Sequence, residues 1–227
     1  MEDGGLFLAE MWRGISRLVR DSVIVLIVMF FWMLVEMVEK SCRHGAAVWE
    51  SRKFLGASVV LLERGDSDGV VALAETRKRS HVAAVFAAGL REFRRARGIV
   101  SVERSLEVAE REAHVASSRV HERLREGVSA LGSIATTAPL VGLFGTVFGI
   151  FGSFRGVAMQ KEAAMAMVAG SLAEVLVTMA LGLLVAVLAV WCFNCLNERL
   201  AMIDAEMAIA RLELGKYLEG QRRAGKL

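Results

Sequence analysis

The chain has 227 residues, of which 55% are hydrophobic and 23% charged, and its formal net charge is +3 at pH 7. This small charge, with no nucleic-acid motif and no aromatic residues interleaved in a basic patch, argues against nucleic-acid binding. Three cysteines predict no disulfide framework, and the absence of an ordered Ser/His/Asp set, a Walker loop or a dinucleotide fingerprint predicts no enzyme activity, cofactor or metal site.

The apolar residues are concentrated in three blocks. The first, residues 22–35, is short, but flanking apolar residues extend it to a predicted membrane-spanning helix over residues 18–38. Residues 127–154 carry no charged side chain, and residues 163–197 carry only Glu174. Each of these two blocks exceeds the ~20 residues that a helix needs to cross the hydrocarbon core. They predict spans over residues 128–154 and 170–193.

Lys and Arg are distributed unevenly between the connections. More than half of the 28 basic residues lie in residues 40–126, whereas few lie between the second and third spans. The positive-inside rule therefore places residues 39–127 and 194–227 in the cytoplasm. It places the N-terminal segment 1–17 and the connection 155–169 on the opposite, outer side. We expect a multi-pass membrane protein whose N-terminus lies on that outer side.

The long cytoplasmic segment has no proline and is rich in Ala, Glu, Arg and Leu, which favours a helical stalk. Residues 65–69 predict a turn, Gly98 a break, and residues 101–126 one long helix that enters the second span. Residues 194–227 predict a C-terminal helix. The predicted fold is an all-α integral membrane protein with three transmembrane helices and a large helical cytoplasmic insert.

The second span carries small residues at alternating steps of three and four, which place them on one helical stripe. Helices in lipid associate through close packing of small residues, so this stripe is predicted to pack against other helices. The predicted packing residues are Gly142, Gly145, Gly149 and Gly152, together with Gly182 in the third span. Pro139 is expected to kink the second span and to free the carbonyl of Ala135, which Thr136 or Thr137 would satisfy.

Polar side chains inside the spans are the candidate functional residues. An ionised Glu174 near the middle of the bilayer would cost about 3 kcal/mol, so its position needs an explanation. Thr178 shares its helix face at i+4, and Thr146 is predicted at the same depth as Thr178. In a ring of subunits these hydroxyls would form a polar collar. Two alternatives stay open: each threonine bonds its own i−4 carbonyl, and Glu174 lies at the outer interface.

The segments APLVGLFGTVFGIFGSF (138–154) and GSLAEVLVTMALGLL (170–184) resemble the paired signature helices of the TolQ/ExbB/MotA proton-channel family. The chain is most similar to the TolQ and ExbB members, since it has three predicted spans and the MotA members have four. The resemblance implies a location in the bacterial inner membrane, with the N-terminal segment and the connection 155–169 in the periplasm. It also implies a homo-pentamer around a lumen. That lumen would hold an ExbD/TolR-like single-span partner with a membrane Asp, and the work would be delivered to a TonB- or TolA-like protein.

The resemblance also implies site residues. By motif, Thr146 matches the pore threonine of the second span, and Glu174 matches the glutamate of the third. The second pore threonine would lie five residues after Glu174, where this chain has Met179, whereas its own hydroxyl is at Thr178. One residue rotates a helical side chain by about 100°, so whether Thr178 or Met179 faces the lumen stays open.

The predicted function is that of a proton-channel or motor subunit. Its complex would couple the proton motive force to transport or maintenance work at the outer membrane. The alternative is a non-conducting membrane scaffold, a divergent family member that assembles a ring with or without a single-span partner. Met179, and Ala169 and Val187 where the family commonly has prolines, favour this alternative. Apart from proteins, membrane lipid is the expected contact.

Overall fold

In this computed structural model, residues 17–157 and 164–223 are described. The regular structure of these residues is helical. The helices are α1 (Arg17–Glu63), α2 (Ser67–Thr76), α3 (His81–Ala96), α4 (Val102–Arg125), α5 (Val128–Val157) and α6 (Ala164–Arg223). Three of them, α1, α5 and α6, are long and apolar enough to cross a membrane. The predicted all-α fold with three transmembrane helices is confirmed.

The first and last of these helices extend beyond the predicted spans. Helix α1 has 47 residues and includes both the first predicted span and the beginning of the predicted stalk. Helix α6 has 60 residues and includes the third predicted span and most of the predicted C-terminal helix. Most of the predicted periplasmic N-terminal segment and residues 158–163 of the predicted outer connection lie outside the described residues.

Three glycines with positive φ separate helices along the chain. They are Gly65 (φ 73°), Gly98 (φ 87°) and Gly127 (φ 82°), and this left-handed backbone is accessible to glycine without the steric cost of a Cβ. Gly65 and Gly98 lie at the predicted turn and break. The helix over residues 101–126 was predicted to enter the second span, and this prediction is corrected. Gly127 separates the end of α4 from the start of α5.

The described chain divides into two compact units. The span unit contains the residues up to Val38 and Gly127–Asn194, and the insert unit contains Glu39–Glu126 and the residues from Cys195 onward. The insert unit has its own hydrophobic core. Helix α3 contributes apolar residues at helical spacing, and they pack with residues of α1, α4 and α6. The largest buried side chains of this core are Phe54, Phe86, Leu90, Ile203, Met207, Leu214 and Leu218.

A buried hydrogen-bonded chain connects three segments of the insert unit. Ser51 Oγ lies 2.9 Å from Ser80 Oγ and 3.0 Å from His81 Nδ1, and His81 Nε2 lies 2.7 Å from a carboxylate oxygen of Glu206. With a neutral imidazole, Nε2–H donates to Glu206 and Nδ1 accepts from Ser51. Ser51 and His81 are only 0% and 1% exposed. The chain is structural, because it satisfies buried polar groups.

His44 is a second buried histidine of the insert unit. Its Nε2 donates to the Leu124 carbonyl at 3.2 Å. Burial lowers the pKa of His44; the Leu124 hydrogen bond opposes this shift, and the nearby cations, led by Arg199, reinforce it. Burial also lowers the pKa of His81, although Glu206 opposes that effect. Both rings are therefore held in the neutral form to a lower pH than an exposed histidine.

We expect the insert unit to lose stability as the pH falls below 6.5, the ordinary histidine pKa. The unfolded chain takes up protons there that the folded chain does not, so the contribution of His44 is present above this pH and lost below it. His44→Gln, which keeps a donor for the Leu124 carbonyl, should weaken the pH dependence. The measurement is the thermal unfolding midpoint of the full chain in detergent across this range.

His121→Gln is the control, since His121 is partly exposed and pairs with Asp204 at 2.8 Å. A midpoint whose pH dependence is unaltered by His44→Gln would contradict the account of His44.

Candidate functional site among the membrane helices

Helices α5 and α6 of the span unit pack against each other along their glycines. A Cβ built on Gly142 would lie 3.3 Å from the Cα atoms of both Gly182 and Met179. A Cβ built on Gly145 would lie 2.9 Å from Cγ2 of Thr178, and one on Gly149 would collide with Val175. Successively later residues of α5 thus contact successively earlier residues of α6. The two helices are therefore antiparallel.

Helix α1 completes the bundle. A Cβ on Gly145 would lie 3.0 Å from Cβ of Ser22, and a Cβ on Gly149 would lie 2.9 Å from Cγ2 of Val19. Further along, Cys192 Sγ of α6 lies 3.0 Å from Met37 Sδ of α1. Helix α1 is thus antiparallel to α5 and parallel to α6. The small-residue stripe of α5 packs against two helices of its own chain.

Gly182 is the most constrained of the predicted packing glycines. A Cβ there would lie 2.8 Å from the backbone oxygen of Ala138 and 3.0 Å from Cα of Gly142, and backbone atoms cannot move aside as a flexible side chain does. Gly152 differs, because a Cβ built on it would meet no described atom within 4 Å. Among the described residues, close helix contacts thus occur at Gly142, Gly145, Gly149 and Gly182 but not at Gly152.

Both candidate threonines are buried and hydrogen-bonded to their own helices. Thr146 is 8% exposed, and its hydroxyl donates to the Gly142 carbonyl at 2.8 Å. Thr178 is 1% exposed, and its hydroxyl donates to the Glu174 carbonyl at 3.3 Å. These are the i−4 bonds that the sequence left open as an alternative. Each hydroxyl oxygen can still accept a hydrogen bond.

The two threonines lie at one level of the bundle. Thr178 packs against Gly145 of α5, the residue that precedes Thr146. Met179 is half-buried, and its backbone passes close to Gly142. The side chain of Thr178 is thus enclosed within one chain.

Glu174 lies one turn before Thr178 on α6. Its side chain is half-buried, and its backbone carbonyl accepts the Thr178 hydroxyl. The large side chains near it on the outside of the bundle, Leu172 and Leu176, are exposed and apolar. A carboxyl group therefore borders an apolar surface that either lipid or another chain must cover.

Pro139 lies inside α5, as predicted. The expectation that Thr136 or Thr137 satisfies the Ala135 carbonyl is wrong. Both hydroxyls donate to the Ser133 carbonyl, at 3.0 Å and 2.7 Å. The physical reason is reach: a helical threonine hydroxyl lies over the preceding turn and contacts the i−3 or i−4 carbonyl, not one that is one or two residues away.

Sequence reasoning missed Ser22. It is 6% exposed, and its side chain faces Gly145 at the level of Thr178. Three hydroxyl-bearing residues from three helices, Ser22, Thr146 and Thr178, therefore occupy one level of the bundle. A single polar residue beside Asp21 at the start of an apolar block carried no signal of this position in the sequence.

This arrangement corresponds to a known family. The model of the MotA/TolQ/ExbB proton channel family matches residues 77–209, which is more than half of the chain. The chain belongs to the MotA/TolQ/ExbB proton channel family. The matched range includes α5 with Thr146 and the part of α6 with Glu174 and Thr178. The family predicted from the two signature segments is confirmed.

Individual members of the MotA/TolQ/ExbB family align with about half of the chain. The Tol-Pal system protein TolQ of Pseudomonas aeruginosa is 40% identical over 126 residues, 55% of this chain and 54% of that protein. TolQ of Haemophilus influenzae is 34% identical over 124 residues, 54% of each protein. The biopolymer transport protein ExbB of Neisseria gonorrhoeae is 38% identical over 105 residues, 46% of this chain and 48% of that protein. The chain spans about half the length of the curated relatives it matches.

The glycine contacts generate a steric prediction. Gly182→Val should destabilise the bundle by about 1–3 kcal/mol or more, because its Cβ would press on the backbone of α5. Gly152→Val should have little effect, since a Cβ there meets no described atom within 4 Å. The measurement is the thermal aggregation midpoint of each full-length variant in the same detergent. Equal midpoints for the two variants would contradict the assignment of Gly182 to the helix contact.

Proposed function

We propose that this chain is a proton-channel subunit of an energy-transducing complex in the bacterial inner membrane. In this proposal the complex couples the proton motive force to work at the outer membrane. The observation that carries the proposal is the level shared by the Thr146 and Thr178 hydroxyls, with Glu174 one turn away. Relatives that are named as a Tol-Pal system protein and as a biopolymer transport protein support it.

The proposed proton path uses Thr146 and Glu174. Because the Thr146 hydroxyl donates to Gly142, its oxygen is oriented as an acceptor for a water molecule or for a protonated carboxyl group of a partner. Glu174 supplies a carboxyl group at the border of the bundle. Thr178 is assigned to holding α6 on α5, and Met179 to the lumen, since Thr178 is enclosed by its own chain.

The proposed working state is a homo-pentamer that surrounds an ExbD/TolR-like single-span protein and acts on a TonB- or TolA-like protein. The outward faces of the span helices support an assembly, because large apolar residues on them are exposed and need lipid or protein contacts. On α5 these are Leu140, Leu143, Phe144, Val147, Phe151 and Phe154. In the proposed orientation the N-terminus and the connection between α5 and α6 are periplasmic.

A second candidate is a ring-forming scaffold that does not conduct protons. Two observations favour it: both threonine hydroxyls donate to their own helices, and Met179 stands where the family motif has its second threonine. In a scaffold, the Thr146 hydroxyl has only a local role. The two candidates therefore differ in what the loss of this hydroxyl does.

Thr146→Val separates the two functions. It should abolish proton-driven function in a channel and leave assembly-dependent function intact in a scaffold, because valine keeps the shape of threonine without its hydroxyl. Proton flux into liposomes that contain the purified complex is the measurement. Thr137→Val is the matched control, since Thr137 lies on the same helix and makes the same i−4 bond, to Ser133 at 2.7 Å. Wild-type flux in Thr146→Val would contradict the channel.

Native mass spectrometry of the complex isolated from membranes through a tagged chain tests the proposed assembly. We expect five copies of this chain and a bound single-span protein with a membrane Asp. A ring without such a partner would favour the scaffold instead.

A further inference from the structure

A cavity of about 440 Å³ lies within the insert unit. It is formed by α1 just after the first predicted span, by the turn before α3 together with the start of α3, and by the end of α4. We call it the basic cavity. Its polar lining residues are Cys42, Arg43, Lys78, Arg79, Ser80, His81 and Arg123.

The charges of the basic cavity are unbalanced. Its lining contains four cationic side chains, of Arg43, Lys78, Arg79 and Arg123, and no carboxylate. None of the four makes an ion pair with another described residue. Four like charges around one concave space repel one another, and a concave, low-dielectric wall concentrates their field. An anion in the cavity would relieve this repulsion.

Two carboxylates are hydrogen-bonded to residues that line the cavity, but neither makes an ion pair with its four cations. Glu50 accepts the backbone N–H of Arg79 at 3.1 Å, and Glu206 pairs with His81 on the side of the ring away from Ser51. Both carboxylates thus have partners other than the four cationic side chains, and neither lines the cavity.

The start of α3 at the basic cavity is hydrogen-bonded and electropositive. Ser80 is the N-cap of the 16-residue helix α3 and accepts the N–H of Ala83 at 3.0 Å. Its hydroxyl is also held by Ser51, which belongs to the buried chain that ends at Glu206. The positive end of the α3 dipole therefore lies at the cavity and adds to the field of the four cations.

We propose that the basic cavity binds a phosphate group. Guanidinium groups match phosphate oxygens in geometry and charge, and three of the four cations are arginines. The phosphate can come from a phospholipid headgroup, since Arg43 follows the first predicted span by five residues, or from a soluble phosphate compound. This proposal does not rest on proton conduction and holds for a channel and for a scaffold alike.

Cys42 provides a reporter, because its exposed thiol lines the cavity. The alkylation rate of Cys42 by neutral iodoacetamide is measured by peptide mass spectrometry on the full chain in nanodiscs. One arm compares phosphatidylcholine with phosphatidylcholine plus phosphatidylglycerol, and the other compares inorganic phosphate with chloride at equal ionic strength. Simple occupancy predicts about tenfold slower alkylation at a ligand concentration ten times the dissociation constant.

The variant Arg79→Gln/Arg123→Gln removes two of the cations and should abolish the slowing. The matched control is Arg95→Gln/Arg119→Gln, which removes the same charge from exposed positions on α3 and α4 outside the lining. In this control the ligand should still slow the alkylation of Cys42. Slowing by phosphatidylglycerol alone assigns the site to a headgroup, and slowing by inorganic phosphate assigns it to a soluble phosphate. If the alkylation of Cys42 is slowed in neither arm, or if both double variants lose this slowing equally, the proposal is overturned.

Discussion

The close approach of α5 to α6 at Gly142 and Gly182 is the contact on which the membrane part of this protein depends. A Cβ on Gly182 would lie 2.8 Å from a backbone oxygen of α5, so this helix separation is possible only with glycine. In lipid, where apolar surfaces gain nothing by leaving the solvent, such backbone contact is a main source of helix association. The antiparallel register of the two helices follows from it.

That register determines the surroundings of the polar residues. It puts Thr178 against Gly145 and brings Ser22 of α1 to the same level, so these two side chains are enclosed by their own chain. Burial also explains the i−4 bonds of Thr146 and Thr178, because a buried hydroxyl without a partner would carry a desolvation cost of about 1–3 kcal/mol. Glu174, one turn away, borders exposed apolar side chains instead.

The insert unit is stabilised by other interactions, namely an apolar core and hydrogen bonds between polar side chains. Its core is apolar, and a chain of hydrogen-bonded polar groups runs from Ser80 through Ser51 and His81 to Glu206. The same chain anchors the start of α3, where Arg79 and Ser80 line the basic cavity. Cationic side chains that make no ion pair with a described residue, next to a hydrogen-bonded helix start, form an arrangement that favours an anion.

The sequence by itself determined the helical class, the three membrane helices, the turn at Gly65 and the family, since apolar blocks, runs of turn-forming residues and signature segments are local features. It also singled out Thr146, Glu174 and the glycine stripe as candidates. The break at Gly127, the enclosure of Thr178, the position of Ser22 and the basic cavity were decided only by the tertiary structure. Helical periodicity reports which residues share a face, whereas the partner of that face depends on the register between helices distant in sequence. The four cations of the cavity come from three separate segments, so no local pattern connects them.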